Sequence, residues 1–147
     1  MLKIYLDNCC YNRPFDNQKD LAIHEETNAK LFIQSLIKYK SLELVYSSIS
    51  IQEITDSPFE ENNDSILRFI EENAKIYVSK ERNKTAISLT EEIMQKGIKL
   101  KDASHTACAI LANCDYLITT DKRLLKYQDS RIKVVNPIEF EKIWRTL

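Results

Sequence analysis

The sequence predicts a three-layer α/β/α sandwich built on a central, mostly parallel sheet of about five strands. Three observations carry that expectation. Short apolar runs of strand length alternate along the chain with segments of helical period. Strands separated by helices join through right-handed crossovers, which set them parallel in one sheet covered on both faces. Finally, the chain has 147 residues, and no repeat, low-complexity stretch or proline-rich linker divides it, so one domain over 1–147 is expected.

Each element has its own signal. The first strand is Leu2–Leu6. A long helix follows, because Ala29, Phe32, Ile33, Leu36 and Ile37 recur at the three-and-four spacing of one face. Leu42–Tyr46 is the second strand, and Ser47-Ser48 offers an N-cap for a helix through Ile54. Ser57-Pro58 opens another helix, with Ile66, Phe69 and Ile70 on one side. Lys75–Val78 reads as a strand. Ala86, Leu89 and Ile93 form the stripe of the next helix, and Gly97 is its natural stop. A further helix starts near Asp102 and ends near Asn113. Tyr116–Thr119 and Ile132–Val135 complete the strands, and Pro137 starts a closing helix that ends near Trp144.

Composition removes several classes. Lys and Arg total 21 against 22 Asp and Glu, a net charge of −1, which excludes a basic tail, a supercharged surface and a disordered acidic chain. Gly97 is the only glycine, so neither a Walker A loop nor a dinucleotide-binding fingerprint is present. No run approaches the roughly 20 apolar residues of a membrane span. Met1–Asp7 meets an acid too early for a signal peptide, so a cytoplasmic protein without membrane contact is expected. Cys9, Cys10, Cys108 and Cys114 lack zinc-site spacing and read as small buried hydrophobes in a reducing compartment.

Ligands of open α/β sheets bind beyond the carboxyl ends of the strands. Asp7, followed by Asn8, ends the first strand, and Asp121 follows Tyr116–Thr119 and the hydroxyl of Thr120. Glu53 lies about two turns into the helix after the second strand, and Asp102 stands at the amino end of its helix. Taken singly, each has an ordinary reading as a turn residue, a cap or a solvated glutamate. Together they reach one edge of one sheet. Packed carboxylates repel and raise one another's pKa, and a divalent cation removes that penalty. Mg²⁺ and Mn²⁺ prefer hard oxygen ligands and can activate water for phosphodiester cleavage.

These residues resemble the PIN-domain nucleases, a family that includes the VapC-type toxins of toxin–antitoxin pairs. The resemblance spans essentially the whole chain. It rests on Ile4-Tyr5-Leu6-Asp7, on Glu53, on Lys101-Asp102-Ala103-Ser104-His105 and on Tyr116-Leu117-Ile118-Thr119-Thr120-Asp121. It implies that Asp7, Glu53, Asp102 and Asp121 hold Mg²⁺ or Mn²⁺ in an endoribonuclease with an RNA substrate, an antitoxin partner and a homodimeric state. Asn8-Cys9-Cys10-Tyr11-Asn12-Arg13-Pro14-Phe15 departs from the family's usual Thr/Ser-x-hydrophobic stretch and marks a distinct subgroup. Ser47, Asn8 and Thr120 are candidates for orienting the carboxylates, and are equally explained as cap or turn residues.

A net charge of −1 makes any attraction to RNA local. Lys96, Lys99 and Lys101 precede Asp102, while Lys122, Arg123 and Lys126 follow Asp121, so an electropositive rim is expected around the acids. Solvated helix ends are the plainer reading of both clusters. Arg13, in the loop after Asp7, is a candidate phosphate contact. His105 reads as a packed histidine, and His24 is assigned nothing. A haloacid-dehalogenase-like phosphatase would need a second Asp where Cys9 stands. A response-regulator receiver would need one after Ile76-Tyr77-Val78-Ser79. A non-catalytic RNA- or protein-binding module is the alternative, and the intact quartet weighs against it because such a module would gain by losing the repulsion.

Overall fold

The computed structural model describes residues 1–12, 20–58 and 60–147. Five parallel strands, β1 (Lys3–Leu6), β2 (Glu43–Ser47), β3 (Ile76–Val78), β4 (Tyr116–Ile118) and β5 (Lys133–Val135), lie in the order β3-β2-β1-β4-β5. Between them run α1 (Asn8–Asn12), α2 (Leu21–Lys38), α3 (Ser48–Asp56), α4 (Glu60–Asn73), α5 (Lys84–Met94), α6 (Leu100–Leu111) and α7 (Lys122–Leu125); α8 (Pro137–Arg145) closes the chain. The expected α/β sandwich is the observed one, with the sheet parallel throughout.

Strand alternation divides the core. Ile4, Leu6, Leu44 and Ile118 point to one face and meet Ile33 and Ile37 of α2, Ile66 and Ile70 of α4, and Phe140 of α8. Tyr5, Val45 and Leu117 point to the other, against Ile93 of α5 and Ala103 and Ala107 of α6. The small alanines let α6 lie close to the sheet. No helix among the described residues is long and apolar enough to cross a membrane.

The helix starts follow their caps. Asp20 accepts from the N–H of Ile23 at α2, Asn136 accepts from Glu139 with Pro137 in the first turn of α8, and Ser47 and Ser50 form a capping box at α3. Gly97, at φ +94°, turns the chain out of α5 in a conformation that suits glycine. Some boundaries differ from expectation. Helix α6 begins at Leu100, placing Asp102 inside its first turn, where the amino-end dipole favours a negative charge. Helices α1 and α7 and a 3-10 turn at Lys80–Arg82 were not expected, since one-turn elements carry too few residues to show a period.

The strand order has a direct consequence. From β1 the chain builds outward through β2 and β3 on one side, then returns to β4 and β5 on the other. The reversal lies between β1 and β4, and a ligand crevice opens beyond their carboxyl ends.

Candidate metal centre

Pairing of Leu6 with Ile118 carries Asp7 and Thr119 side by side past the ends of β1 and β4. The Asp7 backbone N–H donates to Ile118 O at 3.0 Å, which anchors the carboxylate at the switch point. Its Oδ2 accepts from Thr119 Oγ1 at 2.8 Å and from Cys9 Sγ at 3.4 Å, while Oδ1 accepts from the N–H of Asn8 at 2.7 Å. Asp7 is buried. Asp121 continues the same edge: its N–H donates to Thr119 Oγ1 at 3.0 Å, and its Oδ1 caps α7 by accepting from Arg123 and Leu124.

Glu53 arrives on α3. Its Oε1 meets His105 Nε2 at 2.8 Å, and the same nitrogen stands 3.7 Å from Asp7 Oδ1. Donor atoms of Asp7, Glu53 and His105 all lie within 4.8 Å of one another. Asp102 and Asp121 stand outside that tight group and line a cleft of about 320 Å³ with Lys99, Lys122 and Arg123. Glu53 and Lys101 face a second hollow, which α6 also borders through Leu100 and Ser104.

Charge ties the four acids together. Burial pushes Asp102 up to about 6, and the negative charges of Asp7, Asp121 and Glu53 add to the rise while His105 opposes it. Among the described residues, no lysine or arginine forms an ion pair with Asp7, Glu53, Asp102 or Asp121. His105 is fully buried. Burial alone would lower its pKa, but the bond to Glu53 and the charges of Asp7, Glu53 and Asp102 outweigh it, and the net shift is upward. A set of hard oxygen donors with uncompensated negative charge fits Mg²⁺ or Mn²⁺. Asn8 Oδ1, buried next to Asp7 in the chain and accepting no hydrogen bond, is a further unsatisfied oxygen.

The supporting residues differ from expectation in several places. The hydroxyl that touches Asp7 belongs to Thr119, not Thr120, because the strand register aligns Asp7 with Thr119; the Thr120 N–H donates to Cys9 Sγ at 3.3 Å. Ser47 bonds none of the four carboxylates: its Oγ caps α3 and meets Tyr5 Oη. Asn8 supports Asp7 through its backbone N–H, and its side chain donates to Ser50 O at 3.1 Å. Cys10, Cys108 and Cys114 are buried as expected, whereas Cys9 is half-buried against Asp7. Lys99, Lys101, Lys122 and Arg123 are exposed on the cleft walls, Lys96 turns toward the ring of Tyr127, and Arg13 lies outside the described residues. His105 is packed as expected, yet it also joins two of the acids, which its place three residues after Asp102 did not reveal.

No protein-family model and no curated protein matches the sequence. Solved structures do match along most of the chain. A chain in the structure of VapBC2 from Rickettsia felis bound to a DNA fragment from their promoter is 22% identical, with a TM-score of 0.57 over 92% of this chain and 98% of that one. A chain in the structure of FitAB bound to an IR36 DNA fragment is 18% identical, with a TM-score of 0.60 over 92% and 95%. For FitAcB from Neisseria gonorrhoeae the values are 17% and 0.57, over 91% and 97%. The likeness establishes a shared fold, the PIN-like fold that the sequence resemblance implied.

Proposed function

We propose that this chain, with its PIN-like fold, is a divalent-metal-dependent endoribonuclease and the toxin half of a toxin–antitoxin pair. The observation that carries the reading is the gathering of acids at the sheet's switch point: donor atoms of Asp7 and Glu53 lie within 4.8 Å, Asp102 and Asp121 line the adjoining cleft, and among the described residues no lysine or arginine is ion-paired to any of the four. Asp7, Glu53, Asp102 and Asp121 would hold the Mg²⁺ or Mn²⁺. Bound there, the ion supplies an activated water and charge stabilisation for the departing oxygen of a phosphodiester.

The rest of the work falls to the protein. Thr119 and the Asn8 N–H fix both oxygens of Asp7, and His105 holds Glu53, so two acids keep one orientation without reorganising on binding. Capping of α7 does the same for Asp121. Lys99, Lys122 and Arg123 flank the acids in the cleft, where they would take the RNA phosphates and hold the strand across the site. The toxin assignment draws on the VapBC2, FitAB and FitAcB structures that share this fold.

The test is incubation of the purified chain with single-stranded and structured RNA in Mn²⁺ or EDTA. Cleavage is expected in Mn²⁺ alone, with a loss of about 100-fold or more in Asp7→Asn and Asp121→Asn. A small protein encoded beside it is expected to bind the chain and stop cleavage. EDTA-resistant cleavage overturns the mechanism, and tight RNA or protein binding without cleavage favours the non-catalytic module.

A further inference from the structure

We propose that His105 is a positioning residue that donates its Nε2–H to Glu53 beside Asp7, and is not a metal ligand, because Tyr5 occupies its other ring nitrogen. The inference rests on reading the acidic group as a metal centre. Its basis is the inventory of protons in a buried network behind that centre.

Ser47 Oγ accepts from the N–H groups of Ile49 and Ser50 at 3.2 and 3.3 Å, which occupies both its lone pairs. Its own proton therefore goes to Tyr5 Oη, 2.6 Å away. Ser50 Oγ, which accepts from the N–H of Ser47 at 3.2 Å, lies 3.1 Å from the same phenol oxygen. The Ser50 hydroxyl has its own proton to place, and Tyr5 Oη at 3.1 Å is a nearer acceptor than Ser47 Oγ at 3.5 Å, so the two serines fill both lone pairs of Tyr5 and its one O–H is left to give. His105 Nδ1 is in hydrogen-bond contact with Tyr5 Oη on the other side. Tyr5 is fully buried.

Giving that proton to Nδ1 makes Nδ1 an acceptor and leaves the ring proton on Nε2. Nε2 faces Glu53 Oε1 at 2.8 Å and Asp7 Oδ1 at 3.7 Å. The opposite tautomer would set a nitrogen lone pair against a carboxylate lone pair. The ring has no exposed surface through which water could relieve that contact. A metal-ligating histidine must turn a free lone pair to the ion, and the lone pair of this ring is taken by Tyr5. Nε2 is close enough to the carboxylates to be mistaken for a ligand, but its proton stands in the way. What it does is hold Glu53, on one helix, at a set distance from Asp7, just past the end of β1.

Nitrogen-15 NMR of the wild-type chain reads the tautomer directly, since His24, the other histidine, is exposed and distinguishable. His105 is expected to carry a proton on Nε2 and to keep it when Mg²⁺ is added. Mn²⁺ affinity, measured by calorimetry, is expected to fall about 10–100-fold in His105→Leu. His105→Gln, which retains an N–H donor toward Glu53, is expected to recover most of that loss, whereas a role in packing alone would be served better by leucine. An unprotonated Nε2, or its deprotonation on metal binding, overturns the proposal even if the leucine variant does not fold. A chain that keeps the Nε2 proton but neither binds Mn²⁺ nor cuts RNA overturns the nuclease reading and leaves the hydrogen-bond assignment standing.

Discussion

Lys30 of α2 is fully buried, and among the described residues its Nζ meets no hydrogen-bond acceptor; it lies over the ring of Tyr11, 4.6 Å from the centroid. Burial pulls its pKa from 10.5 down to about 8, and the nearby Cys10 and Cys9 only partly oppose that. Between those two values the unfolded chain binds more protons than the folded one, so the contribution of this group to stability rises with pH. Below pH 8 both states hold the proton and the whole penalty, about 3 kcal/mol, is present. Lys30→Met is therefore expected to be more stable than the wild type in urea at pH 7, by a margin that shrinks as pH rises from 8 to 10.5. A margin independent of pH would contradict the assignment.

Among the elements, three helices end on a residue in the left-handed region: Gly97 after α5 (φ +94°), Asn113 after α6 (φ +58°) and Lys40 after α2 (φ +58°). Glycine enters this region freely and asparagine tolerates it, while an ordinary side chain such as lysine is strained there by about 1–2 kcal/mol. Lys40 is exposed, so its side chain offers no packing in return. Lys40→Gly is expected to stabilise the protein by roughly 0.5–1 kcal/mol, because the relief of strain exceeds the extra freedom of glycine in the unfolded chain. Thermal melts should show a higher Tm for Lys40→Gly and a smaller gain for Asn113→Gly. A lower Tm for Lys40→Gly would show that α2 is not held by this turn. Ser47 illustrates a different economy of elements, since one hydroxyl caps α3 and supports Tyr5 of β1.

For the whole molecule, a net charge of −1 gives no long-range attraction to a polyanion. The sheet reversal places the acids in the crevice between β1 and β4, and the exposed Lys99, Lys122 and Arg123 stand on its wall. RNA binding by the cleavage-deficient Asp121→Asn chain is therefore expected to depend on a few local contacts. Replacing Lys122 and Arg123 with alanine should weaken it for all sequences alike. It should also flatten the slope of log K against log salt by roughly 1.4, at 0.7 per single-strand phosphate contact. An unchanged slope would place the RNA elsewhere.

The α/β alternation, the strand positions, the cap at Ser47, the helix start at Pro137 and the acids that follow the strand ends were legible in the linear chain. Periodicity and capping are local properties, expressed within a turn or two of the residues concerned. Short elements escaped for the same reason: Asn8–Asn12 and Lys122–Leu125 are too brief to show a period. What only the tertiary structure decided is which groups face the acids. Thr119 rather than Thr120 supports Asp7 because of a register between strands separated by more than a hundred positions, and one residue of slip would exchange them. Tyr5 and His105 meet across 100 positions, and His105 reaches Glu53 from a different helix. Hydrogen-bond partners at such separations are chosen by packing, which no pattern along the sequence encodes.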